Sequence, residues 1–221
     1  MRISFAWPIA MMTLVIVSGE SPPPSPTVSP DAATILQRSQ SRWQGLASYQ
    51  VPVTIGGSVR VAFISVPFKM TGTQYYQAPD QQALHFNNPP SYARGLGNTL
   101  STIGTPQTWL RDYDIATLVT QPRGHHTAYV LTGTPRRASR VKTMTISFSA
   151  TTYGIESVAF AYTNGASLVI DFHRHHGVTQ YHLPRSATVV AKFPNYSGNA
   201  TIAYGDYQLN QPIPSSVFQQ H

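Results

Sequence analysis

The sequence predicts an α+β fold that is mostly β: one antiparallel sheet with a covered apolar face, preceded by an amphipathic helix. Three observations predict it. Apolar and polar residues alternate with a period of two through most of residues 49–208. Turn residues punctuate that alternation, and Asn164-Gly165 is the strongest two-residue hairpin signal among them. Neither a repeat of fixed length nor a regular strand–helix alternation appears, which argues against a parallel sheet.

Asp31 is a good helix N-cap, and Ile35, Leu36, Ser39, Trp43, Leu46 and Ala47 follow at helical spacing. The spacing predicts a helix over 31–47, with Gly45 weakening its last turn. From Tyr49 the period becomes two. Val51, Val53 and Ile55 alternate, Gly56-Gly57 is expected to bend the chain, and Val59, Val61 and Phe63 continue the pattern. Further strands are expected over 68–76 and 83–86, separated by Ala78-Pro79-Asp80.

Residues 89–110 break the alternation. Tyr92, Leu96, Leu100 and Ile103 recur at spacings of three and four, which is one helical face. Gly95, Gly97 and Gly104 each weaken such a helix by up to about 1 kcal/mol relative to alanine. The reading is a mobile helical flap, followed by Trp109 and Leu110.

From 114 to 208 the chain reads as a meander of short strands. Met144, Ile146 and Phe148 share one face, as do Val158, Phe160 and Tyr162, and Leu168, Ile170 and Phe172. Arg123-Gly124, Tyr153-Gly154 and Ser197-Gly198-Asn199 are expected to turn the chain. One side of the sheet is apolar and the other wet. That pattern fits a single meander whose concave face is covered.

The N-terminus is of another kind. Arg2 precedes an apolar stretch from Ile3 to Val17, short of the roughly 20 residues that a bilayer span needs. Residues 1–19 read as a signal peptide or an uncleaved anchor. Residues 20–30 hold Pro22, Pro23, Pro24, Pro26 and Pro30, and form an extended spacer before a domain at 31–219. An exported, periplasmic or otherwise extracytoplasmic location follows, with the domain freed or tethered.

Composition narrows the chemistry. The 221 residues contain no cysteine, which removes disulfides, thiolate metal sites and cysteine nucleophiles. Charged residues make up 10%, well under the roughly 25% of an average chain. Asp171, His173 and His175 fall on one strand face with metal-ligand spacing, but nothing supplies a second shell, so the reading is a polar strand end and no metal. Asp112 and Asp114 could share a strand face as a carboxylate pair for acid/base work, but the reading is turn and surface residues. Nucleophile-elbow, zincin, P-loop and dinucleotide motifs are missing, so the expectation is no catalytic residue, no cofactor and no enzyme. Arg136, Arg137, Arg140 and Lys142 form the basic cluster within a net charge of +7. Export argues against nucleic acid as its partner and an anionic membrane surface suits the compartment better, while a solvated loop is the commonest explanation of such a cluster. Asn195 and Asn199 begin glycosylation sequons that would be idle in a bacterial protein.

The closing stretch reads Tyr204-Gly205-Asp206-Tyr207-Gln208-Leu209-Asn210, then Pro212-Ile213-Pro214 and Val217-Phe218. With the leader, first helix, long hairpin ending Tyr75-Tyr76-Gln77-Ala78-Pro79-Asp80 and helical interruption, this layout resembles the LolA-like superfamily of outer-membrane lipoprotein-sorting proteins. The resemblance covers about residues 31–219. It implies a curved half-barrel with a helical lid over its concave face, and acyl chains held beneath the lid. It also implies an arginine latch just before Pro79, where this chain has Ala78.

The expected function is therefore a monomeric, non-enzymatic carrier of a lipid or of a lipoprotein's acyl chain. Tyr76, Phe86, Leu96, Leu100, Ile103 and Trp109 are the residues expected to line or gate its cavity. Each acyl methylene moved out of water gains about 0.8 kcal/mol, so no charged group is required. A carrier should show an apolar cavity of several hundred cubic ångströms under 89–110. The alternative, a periplasmic sensor or docking module on the same fold, should have that space filled by its own side chains.

Overall fold

The computed structural model describes residues 30–87, 106–173 and 181–219. The leader, most of the spacer, His175 and the flap residues Leu96, Leu100 and Ile103 lie outside them.

Helix α1, Ala32–Ser41, starts where the sequence places it, because the Asp31 carboxylate accepts a hydrogen bond from Thr34 N–H at 2.7 Å. It ends earlier than the expected residue 47. Ser41 Oγ donates to Arg38 C=O at 2.8 Å, Trp43 N–H reaches back only to Gln40, and Gly45 takes φ +83°. These tight turns carry Trp43 and Leu46 past the helix end while keeping Leu46 in the core.

The sheet is built from β1 Ser48–Val61, β2 Ile64–Gln77, β3 Gln81–Asn87, β4 Tyr113–Arg123, β5 His126–Pro135, β6 Val141–Ser149, β7 Ile155–Tyr162, β8 Ser167–His173, β9 Ser186–Phe193 and β10 Tyr196–Tyr204. A two-residue strand β11, Gln208–Leu209, also pairs with β1. The order is β3-β2-β1-β10-β9-β8-β7-β6-β5-β4, antiparallel throughout. It is a mostly β, open antiparallel sheet with few helices, consistent with the curved half-barrel expected. Among the described residues its two edge strands are β3 and β4. Helix α2, Pro106–Asp112, leads directly into β4 and touches α1.

Two glycine-containing segments have one role in common. β1 continues without a break through Gly56-Gly57, and Ser197-Gly198-Asn199 lies inside β10 rather than in a turn. A Cβ on Gly57 would lie 2.1 Å from Asn199 C=O, and one on Gly198 would lie 3.0 Å from Ser58 C=O. The glycines let β1 and β10 approach closely. Pro52 is tolerated inside β1 because its carbonyl faces the point where β10 leaves the ladder. There Gly205 N–H donates to it at 2.8 Å, and no strand asks for the missing Pro52 N–H.

The apolar inner face carries the core. Leu131, Met144, Ile146, Phe148 and Val158 are wholly buried, as are Ile35 and Leu36 on the α1 face that covers them. Each such side chain contributes about 1.5–3 kcal/mol by leaving water. The predicted alternation in β6, β7 and β8 is the observed one.

Candidate functional site

Strand periodicity puts Val53 and Ile55 of β1, Ile202 of β10, Ile170 of β8 and Val158 of β7 on the same inner face. Above them lie Trp43, just past α1, and Trp109 of α2, of which only 2% is exposed. Floor and cover enclose a cavity of about 110 Å³, mainly apolar in lining. This is smaller than the several hundred cubic ångströms expected of an open carrier, and below the roughly 300–1,000 Å³ usual for small-molecule sites. As it stands, the space is too small for a whole long acyl chain.

One wall is aromatic. Tyr49 stacks on Tyr76 at 5.3 Å, meets Tyr207 edge-on at 5.4 Å, and accepts a hydrogen bond from Gln74 Nε2 at 3.1 Å. Trp43 meets Tyr76 edge-on at 5.0 Å, and Tyr207 stacks on Tyr204. Tyr207 OH donates to Pro184 C=O at 2.7 Å, and Tyr76 OH to Pro79 C=O at 3.3 Å. Burial raises the Tyr49 and Tyr204 phenols far above their ordinary value. Tyr76 is pushed up to about 12, first by burial and then by the Asp80 charge. These hydroxyls stay neutral at any physiological pH, so the wall can offer hydrogen bonds but no charge.

Among the described residues Arg42 is the cation at the cavity, where it donates to Thr152 C=O while its Nε is buried without a partner. Burial lowers its pKa from the ordinary arginine value. Together the wall and Arg42 could hold an apolar chain with a polar end.

No family model and no curated protein matches the sequence. Solved structures do match the fold. A LolA superfamily protein from Nitrosomonas europaea gives a TM-score of 0.58 at 12% identity, over 87% of this chain and 99% of its own. A DUF1329-family protein from Desulfovibrio piger gives 0.60 at 9% identity, over 85% and 96%. A domain described as that of an outer-membrane lipoprotein-sorting protein from Vibrio parahaemolyticus gives 0.60 at 12% identity, over 84% and 94%. The chain has the LolA-like fold.

Within the LolA-like frame, the residues expected at the cavity occupy different places. Trp109 lines it, and sits inside α2 rather than after the flap. Tyr76 is buried behind Tyr49 and Trp43, one layer from the space. Phe86 is half-buried on β3 opposite Gly72, packed against the core. Ala78, at the place of the implied latch arginine, is exposed and joined to Pro79 by a cis peptide bond.

The polar candidates form ion pairs. Asp112 ends α2 while Asp114 lies in β4, so the two do not share a strand face. Asp112 is held by Arg111, which lowers its pKa, and Asp114 pairs with Arg136. Asp171 binds Arg123 at 2.5 Å, and His173 contacts Thr188. No metal-binding group of three occurs among the described residues.

The sequence reading overlooked Tyr49, Tyr204 and Tyr207. The first two were findable, because Tyr49 is in phase with Val51, Val53 and Ile55, and Tyr204 with Ile202. Tyr207 lies beyond the regular ladder and gives no such signal.

Proposed function

We propose that this LolA-like domain is an exported, non-enzymatic binding protein that takes one acyl chain, of a lipid or a lipoprotein, onto its inner face. Residues 1–19 act as leader or anchor, and 20–30 as a spacer that stands the domain off in the periplasm or its equivalent. The observation that carries this reading is the apolar cavity between the sheet floor and the cover of Trp43 and Trp109. Its modest size implies that entry of a chain and displacement of the cover are one event. Helix α2 suits that motion, since it is short and meets the rest of the molecule mainly through α1 and β4.

The volume itself favours a second reading. If the cover never lifts, the same fold is a sensor or docking module whose core is already full.

Native mass spectrometry of the full chain, produced by export in a bacterium and purified without detergent, separates the two. The expected result is a co-purifying fatty acid or phospholipid, lost when Ile170→Trp fills the floor. A ligand-free mass that stays ligand-free after incubation with lipid vesicles overturns the carrier reading and leaves the docking module.

A further inference from the structure

The inner face can be followed strand by strand to one rim. Pairing sets Val59 opposite Val66 and Val61 opposite Ile64 in the β1–β2 hairpin, and Phe193 opposite Tyr196 in the β9–β10 hairpin. These positions are in phase with Ile55, Met70, Ile202 and Val189, which face the core. The apolar face therefore continues past the core to the hairpin tips, where it is bare. Val61 is 53% exposed, Ile64 56% and Tyr196 44%, while Phe63 at the turn is 92% exposed. Phe193 stacks on Tyr196 at 4.7 Å and lies 5.8 Å from Tyr162, which brings the β7–β8 hairpin into the same rim. Thr163 N–H donates to Arg140 C=O at 2.9 Å, which joins the β5–β6 loop to it.

Charge is sorted along the same axis. Arg60, Lys192, Arg137, Arg140 and Lys142 stand exposed on this rim, and none forms an ion pair with a carboxylate among the described residues. Asp112 and Asp114, beside the start of β4, are already bound by Arg111 and Arg136, and Arg111 also holds Asp80 at 2.9 Å. Glu156, Asp171 and Asp206 lie towards the opposite ends of their strands.

We propose that this rim docks on an anionic lipid surface, with Phe63, Ile64 and Tyr196 entering the boundary between headgroups and acyl chains and the cations facing phosphates. Bare apolar residues on separate hairpin tips suit a deformable apolar layer under an anionic skin. A protein partner would need a shape that matches several protruding tips at once. Aromatic and basic side chains together are the residue types that settle at a bilayer interface. The inference stands without the cavity reading. Should both hold, the inner face opens onto the membrane and an acyl chain need not cross water.

The test is flotation of the full chain with vesicles of phosphatidylcholine plus phosphatidylglycerol, and of phosphatidylcholine alone. Binding to the mixed vesicles is expected, weaker by about tenfold or more on the neutral ones or in high salt. The double variant Phe63→Ser, Ile64→Ser should lose about tenfold or more. The pair Arg137→Glu, Arg140→Glu should lose as much, together with part of the salt dependence. These side chains are exposed, so thermal melting by circular dichroism should match wild type, and Val119→Ser on distant β4 should bind unchanged. Undiminished binding by both double variants would assign attachment to residues 3–17 and overturn the proposal. Binding of soluble polyglutamate in place of vesicles would overturn it too, in favour of an acidic protein partner.

Discussion

Asn210 Oδ1 accepts a hydrogen bond from Ala47 N–H at 2.8 Å, tying the end of the chain to the link between α1 and β1. Its Nδ2 donates to Gly45 C=O at 3.1 Å, and its own N–H donates to Ser48 C=O at 2.8 Å. With φ at +54°, Asn210 sits in the left-handed region that asparagine tolerates better than most residues. Asn210→Ala should therefore destabilise by about 2 kcal/mol, from lost hydrogen bonds and backbone strain together. Asn210→Gly should cost less, because it keeps the backbone geometry. Urea unfolding of the two variants measures the difference.

Gly56 and Gly57 make a paired test of close strand approach. A Cβ on Gly56 meets nothing within 4 Å, whereas one on Gly57 runs into Asn199 C=O and Ala200. Gly56→Ala should be close to neutral in thermal melting. Gly57→Ala should cost about 3 kcal/mol or more, since the obstacle is backbone.

Alkaline pH should unfold the protein through its tyrosines. Tyr49, Tyr76 and Tyr204 have folded pKa values above the ordinary 10. The unfolded chain thus loses its phenolic protons first as pH rises. Their contribution is intact below pH 10 and declines above it, by about 1.4 kcal/mol per pH unit for each tyrosine until its folded pKa is passed. Tyr49→Phe should make the decline shallower in urea titrations above pH 10. An equal slope in the variant would show that Tyr49 ionises freely in the fold.

Trp109 joins cover to core. Trp109→Ala should cost about 3–5 kcal/mol as a large-to-small change at a buried site. The variant should also bind a fluorescent fatty acid faster than wild type in stopped-flow mixing, because its cover is easier to lift. Unchanged entry would place the gate elsewhere.

Most of the sheet was legible in the sequence. Alternation at Met144, Ile146 and Phe148, or at Leu168, Ile170 and Phe172, has one simple meaning when one face is buried. What misled was glycine. Gly57 and Gly198 look like turn residues along the chain, yet each serves a neighbouring strand that is distant in sequence. The end of α1 was also hidden, because Trp43 and Leu46 stay at helical spacing and in the core although the backbone has left the helix. Of the candidate site, the apolar floor could be read from periodicity. The tyrosine wall could be read only in part, since Tyr207 reaches it from irregular chain.

The pairing of β1 with β10 has a consequence for how the molecule is made. β1 is synthesised early, and its neighbour on one side arrives well over a hundred residues later. Until then that flank of Val53 and Ile55 offers unpaired backbone and bare apolar side chains to any other chain nearby. Closure of the sheet should therefore be the slow step, complete only after the last strand is released, because β1 with β10 is the long-range pairing in a sheet otherwise built from consecutive hairpins. The two halves can form as local hairpins while the seam between them waits for the far end of the chain.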